Sequence, residues 1–203
     1  MSVLEAITPT RKITRESLFT LEHYARIRSE FRARVIAHKR DRAVHLGEHA
    51  TLYFEDGLTM HYQVQEMLRV ERIFEPAAIE EEIAAYNPLI PDGGNWKATF
   101  MIEYADAGER AIALAKMVGI EGKVWARVAG LDKVYAVADE DLERSNSDKT
   151  SSVHFLRFEL APAMIAAAKA GAAIAFGIEH AAYPMTADPV PDAVRASLAS
   201  DLL

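Results

Sequence analysis

The sequence predicts an α+β fold built on a mostly antiparallel sheet of about six or seven strands. Alternating apolar and polar residues, typical of half-buried strands, run through residues 97–104 and 152–160. Turn residues at Asp56-Gly57 and at Gly130-Leu131-Asp132 separate neighbouring strand candidates, as in hairpins. Helices and strands do not alternate regularly, which disfavours a parallel α/β sheet.

Composition bounds the class of protein. The 203 residues are 50% hydrophobic and 26% charged, the balance of an ordinary globular chain. No apolar run approaches the roughly 20 residues of a membrane-spanning helix, and residues 1–19 lack the apolar centre of a secretory signal. Cys is absent, which excludes disulfides, thiolate metal ligands and Cys nucleophiles. We therefore expect a cytoplasmic protein with no membrane association.

A long N-terminal helix is predicted over about residues 14–41, with Thr14 as its N-cap. Apolar residues that share one face of this helix recur at spacings of three and four: Tyr24, Ile27, Phe31 and Val35. Such a stripe needs a partner surface, which is either the body of the domain or a second copy of the chain. We expect a homodimer formed through this helix.

The same region is basic. Residues 1–50 hold 10 Lys/Arg and 6 Asp/Glu, whereas the remainder holds 13 and 24. A basic helix can bind nucleic acid or another anion, or it can pack on an acidic body within the chain or across a dimer. The sequence pI is near 5.5 and no nucleic-acid recognition motif accompanies the helix, so packing is favoured over nucleic-acid binding.

The strongest local signal is Asp56-Gly57, which predicts a hairpin between strands at residues 51–55 and 58–64. A helix over residues 65–74 is expected to follow, and Pro76 opens another that runs to Tyr86. Residues 86–91 are too apolar for an ordinary loop and form either a lid over a pocket or a covered crossover, of which the crossover is favoured.

The remaining elements complete one α+β domain over residues 1–183. Further strands are predicted at residues 97–104, 123–129, 133–138, 152–160 and 172–179, and helices at residues 109–118 and 162–171. Residues 184–203 are predicted to be a linker followed by a short amphipathic helix.

The densest polar cluster gives the candidate catalytic residues Glu66, Arg69 and Glu71. Glu66 and Arg69 can pair at i, i+3 on the predicted helix. Glu71 is expected near its apolar stripe, whose core-facing residues are predicted to be Met67, Leu68, Val70 and Phe74. The functional interpretation is a general acid/base or metal-binding carboxylate with arginine partners. A structural ion-pair network is favoured, because such networks also perturb carboxylates.

Histidines supply the candidate metal ligands. His154 and His180 lie on or at the end of predicted strands, and His61 lies on the second strand of the predicted hairpin. If they converge with Glu66 or Glu103, the set would suit iron, manganese or zinc. The alternative for each His is a core residue satisfied by one hydrogen bond.

Several short blocks carry a family resemblance: Phe54-Glu55, residues 63–69, Glu71-Arg72-Ile73, residues 86–91, Ala98-Thr99, residues 152–155 and Arg157-Phe158. Over roughly residues 24–183 the chain resembles the uncharacterised bacterial domain-of-unknown-function family 3501. Members are often encoded near rubrerythrin-like and cysteine-rich redox proteins, so the resemblance implies a role in peroxide or oxidative stress.

Two functional hypotheses follow. The first is an accessory or binding protein of a redox or peroxide-stress system that acts with a redox-protein partner, since a chain without Cys carries no thiol redox chemistry. The second is a metal-binding protein or acid/base enzyme with a Glu/Arg/His pocket.

Overall fold

A computed structural model describes residues 8–142 and 144–203. Within them the α+β prediction is confirmed. Six α-helices are formed: α1 (Leu21–Arg40), α2 (Gly57–Val70), α3 (Pro76–Tyr86), α4 (Ala107–Lys116), α5 (Pro162–Lys169) and α6 (Asp192–Ala199). Nine strands are formed: β1 (Ala43–Leu46), β2 (Ala50–Glu55), β3 (Asn95–Ile102), β4 (Val124–Val128), β5 (Val134–Tyr135), β6 (Val137–Ala138), β7 (Val153–Glu159), β8 (Ile174–His180) and β9 (Tyr183–Ala187).

The strands form two antiparallel sheets instead of the single sheet predicted. One has five strands in the order β1-β2-β3-β7-β6, and the other has four in the order β5-β4-β8-β9. Both contribute to one apolar core, in which the rings of Phe54 and Phe176 lie 4.8 Å apart. The predicted strand over residues 133–138 is divided between the sheets, because Val134–Tyr135 pairs with β4 and Val137–Ala138 pairs with β7.

Helix α1 is shorter than predicted. It has 20 residues and begins at Leu21, because the Thr20 side chain caps it by accepting a hydrogen bond from the His23 backbone N–H. Residues Arg15–Ser17 form a separate 3₁₀ turn. The apolar stripe of α1 packs against α2, with Phe31 and Leu58 in one buried cluster, so the body of the domain supplies its partner surface.

The hairpin predicted at Asp56-Gly57 is wrong, because Asp56 caps helix α2. Its Oδ1 accepts from the Thr59 backbone N–H at 2.9 Å, and the Thr59 hydroxyl oxygen accepts from the Asp56 N–H at 2.9 Å. This reciprocal cap satisfies two backbone donors that a helix start leaves free. Residues 58–64 therefore form the first two turns of a helix, and His61 lies on that helix instead of on a strand.

The C-terminal segment differs from the predicted linker. Residues 183–187 form β9, which pairs with β8, so residues 172–179 are not the final strand. Helix α6 packs into the main core through Val194 and Leu198. The Trp96 indole N–H also donates to the Leu198 carbonyl at 2.9 Å. In the described part of the chain, no helix is long and apolar enough to cross a bilayer.

Candidate functional site

Glu66 lies in an ion-pair network that joins α1 to α2. Arg28 donates to both of its carboxylate oxygens at 2.7 and 2.8 Å, and the Tyr24 hydroxyl donates to Oε1 at 2.6 Å. Arg69 adds two longer contacts at 3.1 and 3.3 Å, which confirms the predicted i, i+3 pair. The Arg28 hydrogen bonds lower the pKa of Glu66 to about 2, and burial with the Glu66 bond raises the pKa of Tyr24. A carboxylate bonded in this way is a poor base near neutral pH, and the network fixes the two helices together.

Glu71 does not join this network. It is the exposed C-cap residue of α2, and the expectation that it would lie near the apolar stripe is wrong. The residues expected to face the core beside it, Val70 and Phe74, are 56% and 67% exposed. The buried face of the helix is carried by Leu68, as predicted, together with Met60 and Val64, because the helix begins at Gly57, eight residues earlier than predicted.

The candidate metal ligands have separate partners. His61 bonds the Ser17 carbonyl at 2.8 Å, His154 lies 2.6 Å from the Asp139 carboxylate, and His180 lies 3.2 Å from the Val118 carbonyl. Glu103 is exposed just after β3. The convergence predicted for these residues is not present, and residues 8–142 and 144–203 contain no group of three or more His, Asp or Glu able to hold a metal ion.

The strongest candidate site is a cavity on the face of the five-stranded sheet opposite the main core. Since side chains alternate along a strand, Phe54, Ala98 and Leu156 point to the core, and their neighbours in sequence point the other way. The antiparallel register places Glu55 of β2 opposite Lys97 of β3, and Lys97 opposite Arg157 of β7. One row of charged residues therefore crosses three strands.

This cavity, which we term the Glu55 cavity, has a volume of about 250 Å³. Its apolar lining residues are Pro88, Leu89, Ala98, Phe155 and Leu156, and its charged lining residues are Glu55, Lys97, Glu140, Asp141 and Arg157. Apolar walls with a few polar groups are typical of small-molecule sites. Of the two alternatives for residues 86–91, a lid over a pocket fits the position of Pro88 and Leu89.

Glu55 is the unusual residue in this lining. It is 6% exposed, and its Oε1 accepts a hydrogen bond from the Thr99 hydroxyl at 2.8 Å. Its Oε2 is buried and has no hydrogen-bond partner among the described residues. Nearly all buried polar groups in proteins are hydrogen-bonded, so a buried carboxylate oxygen without a donor requires an explanation.

The other charged groups at the cavity are already engaged. The Arg157 guanidinium donates to Glu140 at 2.8 and 2.9 Å and also to Glu159, and its bonds lower the pKa of Glu140. Asp141 accepts from Arg144 at 2.6 and 2.8 Å. At the rim of the cavity, the charge of each arginine is therefore offset by the carboxylates that it contacts.

Lysines fasten the turn that covers the cavity. The Lys97 ammonium donates to the Pro88 carbonyl, and the Lys12 ammonium donates to the carbonyls of Asn87 and Ile90 at 2.8 Å each. Burial lowers the pKa of both lysines. The Asn87 side chain also exchanges two hydrogen bonds with the backbone of Ile13, so residues 12–13 hold the turn in place.

A second buried network lies next to Glu55. Arg42 is 1% exposed and donates to both carboxylate oxygens of Asp201, at 3.1 and 2.6 Å. It also donates to the carbonyls of Phe54 and Glu55 at 2.9 and 3.0 Å. Burial raises the pKa of Asp201 to about 6, although the positive charge of Arg42 acts in the opposite direction and lowers it. This network ties the β2 end to the segment after α6.

Sequence reasoning missed Glu55, Lys97 and Arg157 as site residues. Two signals pointed toward them. The blocks Phe54-Glu55 and Arg157-Phe158 are among those that carry the family resemblance, and a lid over a pocket was the less favoured of the two interpretations of residues 86–91. The burial of Glu55 was not visible, because an acidic residue at a strand end is usually exposed.

The fold and the cavity define an α+β protein of two antiparallel sheets with a ligand-sized site on one sheet face. The sequence profile of the family described as "Protein of unknown function (DUF3501)" matches residues 12–202, and the chain belongs to that family. A crystal structure of a protein of unknown function from Burkholderia pseudomallei K96243 is similar, with 52% identity and a TM-score of 0.90. The match covers 95% of this chain and 100% of that chain. No functionally curated protein matches the sequence.

Proposed function

We propose that this protein binds a small organic molecule in the Glu55 cavity. The observation that carries the proposal is the buried Oε2 of Glu55, which has no donor among the described residues although Glu55 lines a cavity of about 250 Å³. A bound molecule with a hydrogen-bond donor would satisfy that oxygen, and its apolar part would contact Pro88, Leu89 and Phe155.

The burial of Glu55 carries an energetic cost as long as no donor reaches its Oε2. A buried acceptor without a donor costs about 1–3 kcal/mol, and a charged one costs more. A ligand that supplies the donor to Glu55 recovers that cost. This is the pattern expected of a functional residue that is held at the expense of stability.

The size of the cavity limits the ligand. An apolar cavity of about 150 Å³ in a protein interior accommodates benzene. By the same proportion, a cavity of about 250 Å³ accommodates on the order of ten non-hydrogen atoms. We therefore expect a small metabolite, or a small group of a larger ligand, to occupy the cavity.

The test compares two matched substitutions. Phe155→Trp enlarges a side chain that lines the cavity, whereas Phe74→Trp makes the same change at a residue that is 67% exposed and lies outside the cavity lining. Benzene-sized fragments are then screened by saturation-transfer NMR. We expect binding to the wild type and to Phe74→Trp and loss of binding in Phe155→Trp. Equal binding by all three proteins, or binding by none, would contradict the proposal.

We also propose that the protein is a cytoplasmic accessory or binding protein of a redox or peroxide-stress system. The gene-neighbourhood association implied by the family resemblance supports this role. Copurification of a rubrerythrin-like or cysteine-rich partner with the tagged chain from native cells tests it, and its repeated absence would count against it. The homodimer stays a prediction for sedimentation velocity, and bound iron, manganese or zinc stays one for elemental analysis of chelator-free protein.

A further inference from the structure

We propose that the molecule bound in the Glu55 cavity is an organic cation, a protonated amine on an apolar body, and that its ammonium group binds Glu55. This inference rests on the proposed function and names the chemical class of the ligand. Three observations support it: the buried charges around Glu55, the contacts that the neighbouring cations make with other groups, and the apolar lining of the cavity.

The buried charges next to Glu55 are unbalanced. Three carboxylates, those of Glu55, Asp56 and Asp201, are 6%, 1% and 0% exposed in this order, and Arg42 is a fully buried cation among them. Arg42 is bonded to both oxygens of Asp201 and lies 3.6 Å from Asp56. Its contact with Glu55 goes to the backbone carbonyl and not to the side chain. Arg42 thus lies within ion-pair distance of the other two carboxylates, and its charge acts on Glu55 only at longer range.

The remaining cations near this region are also occupied. His38, with a side chain 30% exposed, lies 2.6 Å from the Asp56 carboxylate. Arg157 is held by Glu140 and Glu159. Lys97, opposite Glu55 in the register, keeps its positive charge but directs its ammonium group to the Pro88 carbonyl and forms no ion pair with Glu55. In the described residues, no ion pair reaches the Glu55 carboxylate. A buried carboxylate is stable when a counter-charge is close, so the missing charge can come from the ligand.

An ammonium group fits this requirement better than the alternatives. It carries three donors and a positive charge, and charge-assisted hydrogen bonds are about twice as strong as neutral ones. A neutral hydroxyl would supply a donor but leave the charge uncompensated, and an anion would add a second negative charge. A bare metal ion would need further ligands, and the described residues supply no group of three His, Asp or Glu for one.

The lining sets the other part of the ligand. Away from Glu55 the cavity wall is formed by Pro88, Leu89 and Phe155, which favour an apolar body. Arylalkylamines of the size of 2-phenylethylamine satisfy both conditions. This compound is a probe of the chemistry, and it has neutral and anionic analogues of nearly the same shape.

The experiment measures the affinity of 2-phenylethylamine, 2-phenylethanol and phenylacetate for the wild-type protein at pH 7 by calorimetry or NMR titration. We expect the amine to bind at least about tenfold more tightly than the alcohol, and phenylacetate to bind most weakly. Glu55→Gln keeps the shape of the side chain and should remove the preference for the amine. Glu30→Gln makes the same change at an exposed position on α1 and should preserve it.

The outcomes separate this inference from the proposed function. If the three probes bind the wild type with equal affinity and Phe155→Trp abolishes all of them, the cavity is a ligand site but the amine assignment is overturned. If neither the probes nor the benzene-sized fragments bind, the proposed function fails as well, and Glu55 is satisfied by water alone. The ranking of probes on the wild type decides the point even if Glu55→Gln does not fold.

Discussion

Replacement of Arg42 by methionine should destabilise the folded protein by about 3–5 kcal/mol, the usual cost of removing one partner of a buried ion pair. Methionine has a comparable length and no charge, so it fills most of the space but supplies no donor. The substitution therefore removes the charge and the hydrogen-bond donors of a guanidinium that is 1% exposed, while it keeps most of the side-chain volume.

The magnitude follows from the groups that lose their donors. Asp201, which is fully buried, loses both of its bonds from Arg42, at 2.6 and 3.1 Å. The carbonyls of Phe54 and Glu55 lose bonds of 2.9 and 3.0 Å. Burial already raises the pKa of Asp201 to about 6 with Arg42 in place. Without Arg42 that pKa should rise further, so that Asp201 is neutral near pH 7.

The assay is urea denaturation followed by tryptophan fluorescence. Trp96 is fully buried and donates to the Leu198 carbonyl of α6, so its emission reports on the docking of that helix. Arg32→Met is the matched control at an exposed position on α1 and should change the unfolding free energy by less than about 0.5 kcal/mol. The double variant Arg42→Met/Asp201→Leu should recover most of the loss, because it also removes the carboxylate that loses both of its bonds from Arg42.

Two results would refute this reasoning. A loss below about 1 kcal/mol for Arg42→Met would mean that water reaches Asp201 and replaces the guanidinium. A double variant as unstable as the single one would mean that the cost arises from packing around the Arg42 side chain and not from the unpaired carboxylate.

Two further predictions concern stability. The pKa of Glu66, about 2, lies below its ordinary 4.5, so its ion pairs stabilise the fold above pH 4.5 and are lost as the pH falls toward 2. In urea titrations Glu66→Gln should therefore cost about 1–2 kcal/mol at pH 7, with screening at the half-exposed Arg28 and Arg69 limiting the value, and almost nothing near pH 2. A cost independent of pH would contradict this. A Cβ added at Gly177 would lie 2.3 Å from the Trp125 ring, so Gly177→Ala should cost about 1–3 kcal/mol in the same assay. Gly122→Ala, where no atom lies within 4 Å of the new Cβ, is its control, and an equal effect of the two would show that the Trp125 contact is not the cause.

Elements marked by one unambiguous signal could be predicted from the sequence. Helix α3 begins at Pro76 as expected, because proline is favoured at the first helical position. Strands β3 and β7 follow from strict alternation. Asp56-Gly57 was ambiguous, because the same two residues suit a tight turn and a helix N-cap. The spacing of Met60, Val64 and Leu68 indicates one helix. The predicted boundary between a strand at residues 58–64 and a helix at residues 65–74 separates these three residues, so the helical pattern is not recognised.

The site was harder to predict, because its contacts join distant parts of the chain. The local pair of Glu66 and Arg69 was predicted, but its stronger partners Tyr24 and Arg28 lie 42 and 38 residues away from Glu66. The expected convergence of the histidines required His61 to lie on a strand of the predicted hairpin. His61 lies on α2 instead, so it does not converge with the other candidate histidines. The Glu55 cavity needs the register of β2, β3 and β7 together with the covering turn, and no local pattern specifies such an arrangement.

The lysine contacts at the covering turn have a practical consequence for anyone who measures binding. Lys12 and Lys97 secure the roof of the cavity through their ammonium groups. Amine-reactive reagents, whether used to attach the protein to a sensor chip or to introduce a dye, convert such groups into neutral amides with fewer donors. Coupling through lysine would therefore alter the Glu55 cavity, whereas capture by an affinity tag would leave the hydrogen bonds of both lysines intact.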